Sequence, residues 1–270
     1  MNCILQTKLA GIGAVAFAVP LVLLACGTAQ AEVSSTVTVA SDYDFRGITQ
    51  SALSPALQGS LDWEGESGLY AGLWGSNIDF GQDPGDDFDP VDLNVEVDFI
   101  LGYAGDFTES LGYDVGATYY KYLGNDDAPD SADFDYLELY AGLGITDYAS
   151  TKFWYSPDFG NSGESAWYLE ANGDIPLAWG IGLALHAGYN AGSYWSSDEF
   201  GLDEFVDYSV GLTRTFGHFD FAVKYIDGSD LKESDCSKSE VLCPGDDKVF
   251  SSEAKAFISV STTFPWAKEE

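Results

Sequence analysis

Asp92, Glu96 and Asp98 share the stretch 91–101, VDLNVEVDFIL, with Val91, Leu93, Val95, Val97, Phe99 and Leu101 at the intervening positions. A period of two puts the carboxylates on one face of a strand, with about 6.5–7 Å between alternate residues. Acids in such a row attract cations and repel anions when low-dielectric walls enclose them. Asp42, Asp44, Asp62, Glu64, Asp114, Glu138 and Asp207 take the same kind of position in other alternating segments. Few bases face them, chiefly Arg46, Lys224 and Lys255, and Arg46 is the best candidate to pair with an inward carboxylate. Asp42, Asp44, Arg46, Asp62, Glu64, Asp92, Glu96, Asp98, Asp114, Glu138 and Asp207 are therefore expected to line an interior.

Other chemistry finds less support. The histidines are His186, on an inward face among glycines and alanine, and His218, in a short turn. Neither stands in a G-x-S-x-G context or another catalytic signature, so no enzyme is expected. Cys236 and Cys243 lie in the polar stretch DCSKSEVLCPGD and read as a disulfide stapling a loop; a metal site would need more ligands than two thiols without a nearby histidine. The acidic stretches 81–90 and 124–133 lack the fixed spacing of a calcium loop, and no cofactor is expected. Phosphate-binding loops, dinucleotide fingerprints and zinc clusters are absent from the sequence. The formal net charge of −33 and a pI near 4.1 exclude a nucleic-acid partner, which would need clustered Lys and Arg.

The elements that must position these residues are strands. Residues 1–31 read as a cleavable signal peptide: Lys8, an apolar run over 10–25, then Ala29-Gln30-Ala31 as a small-x-small site. A competing reading takes Leu23-Leu24-Ala25-Cys26 as a lipoprotein box. Residues 32–270 then form one domain, in which no stretch is apolar for the 18 or more residues of a membrane helix. About twelve alternating segments follow: near 35–46, 55–64, 69–80, 91–103, 111–123, 136–145, 148–156, 165–174, 181–189, 206–213, 219–225 and 254–264. Ten or fourteen strands also fit, because the seventh and eighth segments are faint and 104–110 or 190–204 has room for further structure.

Loop length sorts by parity. The connections 47–54, 81–90, 124–133, 157–164, 190–204 and 227–252 are long and polar, whereas 65–68, 104–110, 146–147, 174–180 and 217–218 are mostly short. An antiparallel transmembrane β-barrel has long external loops and tight periplasmic turns, and a soluble sandwich has no reason to sort its loops so. Aromatics near strand ends (Phe45, Trp63, Phe80, Tyr103, Tyr189, Phe264) suit interfacial girdles.

The opening of the mature chain also resembles a known family. Ala40-Ser41-Asp42-Tyr43-Asp44-Phe45-Arg46-Gly47, Pro55-Ala56-Leu57-Gln58-Gly59-Ser60 and Ser67-Gly68-Leu69-Tyr70-Ala71-Gly72-Leu73-Trp74-Gly75-Ser76 are similar to the start of the TorF-type porins of proteobacterial outer membranes. The resemblance implies a porin-like channel over about 33–264, with no established substrate and no catalytic residues. One departure is that Phe264-Pro265-Trp266 is followed by four further residues, where such barrels usually end on an aromatic. The expectation is a passive, cation-preferring outer-membrane channel for small hydrophilic solutes. Its partners would be outer-membrane lipid, lipopolysaccharide and the barrel assembly machinery. The alternatives are a non-conducting structural or adhesive barrel and a secreted soluble β-sandwich binding protein.

Overall fold

A computed structural model describes residues 32–80, 93–124, 133–196, 203–229 and 248–266. Its strands are β1 (Glu32–Ala40), β2 (Asp44–Phe45), β3 (Ile48–Thr49), β4 (Ala56–Glu64), β5 (Leu69–Asn77), β6 (Leu93–Thr108), β7 (Leu111–Gly124), β8 (Tyr136–Ile145), β9 (Ala149–Ser156), β10 (Ala166–Pro176), β11 (Ile181–Ala191), β12 (Phe205–Phe216), β13 (Phe219–Gly228) and β14 (Lys255–Phe264). Among the described residues, twelve of them close into an antiparallel barrel in sequence order, with β14 pairing back onto β1 through Val37 opposite Thr262 and Val39 opposite Val260. Closure leaves no free sheet edge. The remaining two, β2 and β3, make a small hairpin of their own inside it.

The alternation is inside out relative to a water-soluble protein. Along β8, Tyr136, Glu138 and Tyr140 are buried, while Leu137, Leu139, Leu143 and Ile145 are exposed. Leu139 is 50% exposed and Glu138 0%. Each large apolar side chain left in water forfeits roughly 1.5–3 kcal/mol of burial. A leucine- and valine-coated cylinder therefore requires hydrocarbon around it. Aromatics ring both ends of this coat: Phe107, Tyr148, Trp179, Phe216, Phe219 and Phe264 at the end with short turns, Tyr119, Tyr155, Tyr208 and Tyr225 at the end with long loops. No helix among the described residues is long and apolar enough to cross a membrane.

Four local expectations are corrected. The first barrel strand stops at Ala40 rather than running to residue 46, because residues 41–55 turn into the barrel; Tyr43 and Phe45 are thus buried inside it instead of facing outward. Phe80, expected in an interfacial girdle, packs inward against Tyr122, Phe134 and Phe250. In β6 the pairing slips between Leu93 and Val95, a bulge that turns Leu93 onto the interior cluster around Tyr43. The same strand runs on to Thr108, so the connection to β7 is shorter than the expected 104–110.

Candidate functional site: the barrel interior

The lumen is organised around the inturned segment 41–55. Two left-handed residues, Arg46 and Gly47, make the tip of its hairpin, and Ala52 and Leu53 make the return. A Cβ on Gly47 would stand 2.7 Å from the Cβ of Asp207, so only glycine lets the tip approach β12 this closely. The segment reaches strands spread around the barrel. Arg46 donates to both carboxylate oxygens of Glu138 on β8, at 3.0 and 2.7 Å, and its guanidinium lies 4.6 Å from the Phe45 ring and 4.4 Å from that of Tyr168. Tyr43 donates its hydroxyl proton to Glu96 on β6 (2.7 Å). Lys255 on β14 holds Asp42 at 2.6 Å and Asp44 at 2.8 Å. Thr49 and Ser51 hydroxyls also donate to Asp42, which fixes the carboxylate from within the segment.

Burial shapes the charge of these groups. Taken alone it would favour loss of the Arg46 proton, but Glu138 and the phenol of Tyr120 outweigh it and hold the guanidinium above its ordinary value. Asp44 shows the opposite balance: burial raises its carboxyl above the usual range, and Lys255 offsets only part of the rise.

Two further groups of side chains cross the lumen. In the first, Lys152 pairs with Asp114 at 2.7 Å beneath the rings of Tyr140 and Trp154, and Tyr70 donates to Asp114. In the second, His186 faces Asp207 with Nε2 (2.8 Å) and the amide oxygen of Asn172 with Nδ1 (2.6 Å), while Tyr168 donates to Asp207. Trp154 and Asn172 both donate to Glu170. The Tyr168 hydroxyl also lies 2.9 Å from His186 Nε2, so phenol, imidazole and carboxylate form one hydrogen-bonded cluster.

The two ends of the interior differ. At the loop end, Phe80 with Phe134 and Phe250, and Phe159 with Tyr194, Trp195 and Phe205, form two groups of ring contacts joined through Tyr122 and Tyr136 into one layer over the inturned segment, and Ile48 packs against it. At the turn end the wall carries small or acidic residues that remain partly or fully exposed: Thr36, Ser60, Asp62, Asp174, Asp220 and Thr263.

The structure brings together most residues expected to line the interior. Asp42, Asp44, Arg46, Glu96, Asp98, Asp114, Glu138 and Asp207 are inside, all buried except Asp44, which is nearly so. Asp42, Asp44 and Arg46 reach it through the inturned segment, not through a barrel strand. Asp62 and Glu64 sit on the inner face of β4 at the turn end, partly exposed. Asp92, Cys236 and Cys243 lie outside the described residues, as does the segment 1–31. Lys224 and Lys255 are on inner faces as expected. Sequence reasoning missed Lys152, Glu170 and the inward tyrosines Tyr70 and Tyr168. The available signal was parity in β9 and β10, where Lys152 and Trp154 alternate with Phe153 and Tyr155.

Among solved structures, the chain is similar to the KdgM porin in complex with disordered oligogalacturonate, at 9% identity over 87% of this chain and 99% of that one, with a TM-score of 0.49. It is also similar to the NanC porin, at 8% identity over 86% and 98% of the two chains, TM-score 0.48. An outer membrane channel from Pseudomonas putida F1 matches at 12% identity over 88% and 96%, TM-score 0.42. No curated protein matches the chain. The family model that matches spans residues 25–264, and the chain belongs to that family, Gcw_chp, described as a bacterial protein of unknown function.

Proposed function

We propose that the chain is a porin-like channel of a bacterial outer membrane, exported by the presequence 1–31 and passing small hydrophilic solutes by passive diffusion. The observation that carries this reading is the inverted barrel: an apolar coat with aromatic ends outside, and a charged, hydrogen-bonded lumen inside. A closed barrel meets the hydrogen-bonding demand of every strand internally, as hydrocarbon requires. The resemblance to TorF-type porins points the same way. Cation preference is part of the proposal, because acids outnumber bases on the inner wall, and the partly exposed turn end contributes Asp62, Asp174 and Asp220. Lipid, lipopolysaccharide and the barrel assembly machinery are the partners this reading implies.

A second reading, a closed structural or adhesive barrel, is favoured by one observation: the inturned segment crosses the lumen under an aromatic layer. Reconstitution into planar bilayers separates the two. Discrete conductance steps with a reversal potential favouring potassium over chloride support the cation-preferring channel. Steps favouring chloride refute the preference, and silence at high protein density refutes the channel. A mature chain that fractionates as a soluble periplasmic species without detergent refutes the membrane reading altogether.

A further inference from the structure

Residues 41–55 leave the wall at β1 and touch β6, β8, β12 and β14, so they form a strut across the whole loop end of the lumen. The wall itself has no freedom to widen there, because twelve strands are hydrogen-bonded into a closed ring. Any solute that traverses the barrel must therefore pass the strut and the aromatic layer packed over it. The strut's attachment differs from that of the strands. The hairpin β2–β3 makes only two residue pairs of its own, and the strut's backbone hydrogen bonds to its surroundings are few: Ser41 N–H to the Ile258 carbonyl where it leaves the wall, Thr49 N–H to that of Ser251, and Asp79 N–H to that of Gln50. The strut is held mainly by side chains, through Arg46 on Glu138, Lys255 on Asp42 and Asp44, and Tyr43 on Glu96. Phe45 and Ile48 tie it to the aromatic layer above, so strut and layer are joined as one cap.

We propose that residues 41–55 are the gate of this channel, closed by two ionic latches, Arg46 with Glu138 and Lys255 with Asp42 and Asp44, and opened by displacement of the strut within an unchanged wall. The proposal rests on the channel reading above. A latch made of side-chain charge is released by removing one partner, because the charge left behind gains by moving toward water. A ladder of backbone hydrogen bonds would not respond in that way. Arg46 also supplies its own reporter. It is 7% exposed in the closed arrangement, so the Arg46–Gly47 bond is shielded from trypsin until the strut moves.

The test compares the wild-type barrel with E138Q and, as an independent release of the other latch, K255M. Heat-modifiable migration on SDS gels first establishes that each variant is a folded barrel; if one fails to fold, the other carries the test. Two readouts follow in the same lipid vesicles and bilayers: mean conductance, and tryptic cleavage after Arg46 identified by mass. The expected result is a rise in mean conductance on the order of tenfold, the shift produced when a two-state equilibrium loses about one charged contact, together with cleavage at Arg46–Gly47 that wild type resists. Wild-type conductance with both variants unchanged, and the Arg46–Gly47 bond still protected, overturns the gate while leaving the channel standing. A bond that becomes cleavable without any conductance, in wild type or variants, overturns the gate and the channel reading together.

Discussion

Asp114 and Lys152 show what a single buried charge is worth inside this barrel. Their side chains are 6% and 5% exposed, the contact is 2.7 Å, and Lys152 has the faces of Tyr140 and Trp154 against it. Breaking such a pair from one side leaves an uncompensated charge in low dielectric, which costs about 3–5 kcal/mol, whereas removing both charges is often close to neutral. Asp114→Ala is therefore expected to lower unfolding stability in urea by about 3–5 kcal/mol, with D114A/K152M recovering most of the loss. Equal midpoints for D114A and wild type would show that the pair contributes nothing. At this scale the carboxylate half of the interior was legible, since acids on the period-two face of an apolar segment have nowhere else to go. The phenol half was not. Tyr70 and Tyr168 are amphipathic and fit either a lipid-facing girdle or an inner network, and only the partner across the lumen decides between them.

Among the elements, β6, β7 and β8 show how glycine makes room for those phenols. Gly116 on β7 is paired with Gly102 on β6 and Tyr140 on β8. A Cβ on Gly116 would fall 2.4 Å from the Tyr140 hydroxyl oxygen and 2.6 Å from the Leu101 carbonyl oxygen, and one on Gly102 would meet the Tyr70 hydroxyl at 2.3 Å. The Tyr70–Tyr140 contact thus lies flat over a strip of wall with no side chains. Gly116→Ala, one methyl group, is expected to displace Tyr140 and cost about 1–3 kcal/mol in overpacking, read as a lower urea midpoint with barrel migration retained. A variant as stable as wild type would show that the phenols do not need the strip. The strands themselves were legible almost one for one, because lipid outside and polar groups inside impose strict parity that loop length then confirms. The inturned segment was not, because Asp42, Asp44 and Arg46 continue the alternation of β1 without a break. The strand ends at Ala40, and what holds the following residues inside is the left-handed Arg46–Gly47 turn and the pull of Glu138 and Lys255 from strands far along the chain. No local pattern records those partners.

For the molecule as a whole, 44 acidic residues against 11 Lys and Arg set the sign of the field, but not where along the axis that field can act on a passing ion. At the loop end most inner acids are engaged: Glu138 by Arg46 and Tyr120, Asp42 and Asp44 by Lys255, Glu96 by Tyr43, and Asp207 by His186 and Tyr168. The charges of Glu138, Asp42 and Asp44, which face a cation, contribute little at a distance. At the turn end, Asp62, Asp174 and Asp220 stay in contact with solvent on a wall of small residues, so their field reaches the aqueous path directly. The proposed cation preference should therefore reside there. The triple substitution D62N/D174N/D220N is expected to move the reversal potential in a potassium chloride gradient toward zero without changing the size of the conductance step by more than about twofold, since no steric element is altered. The proposed preference should also fade between about 0.1 M and 1 M salt, as the screening length falls from about 10 Å to 3 Å. A preference that survives the triple substitution unchanged would place the selecting field at the latched loop end, where neutralised pairs would then have to separate during conduction.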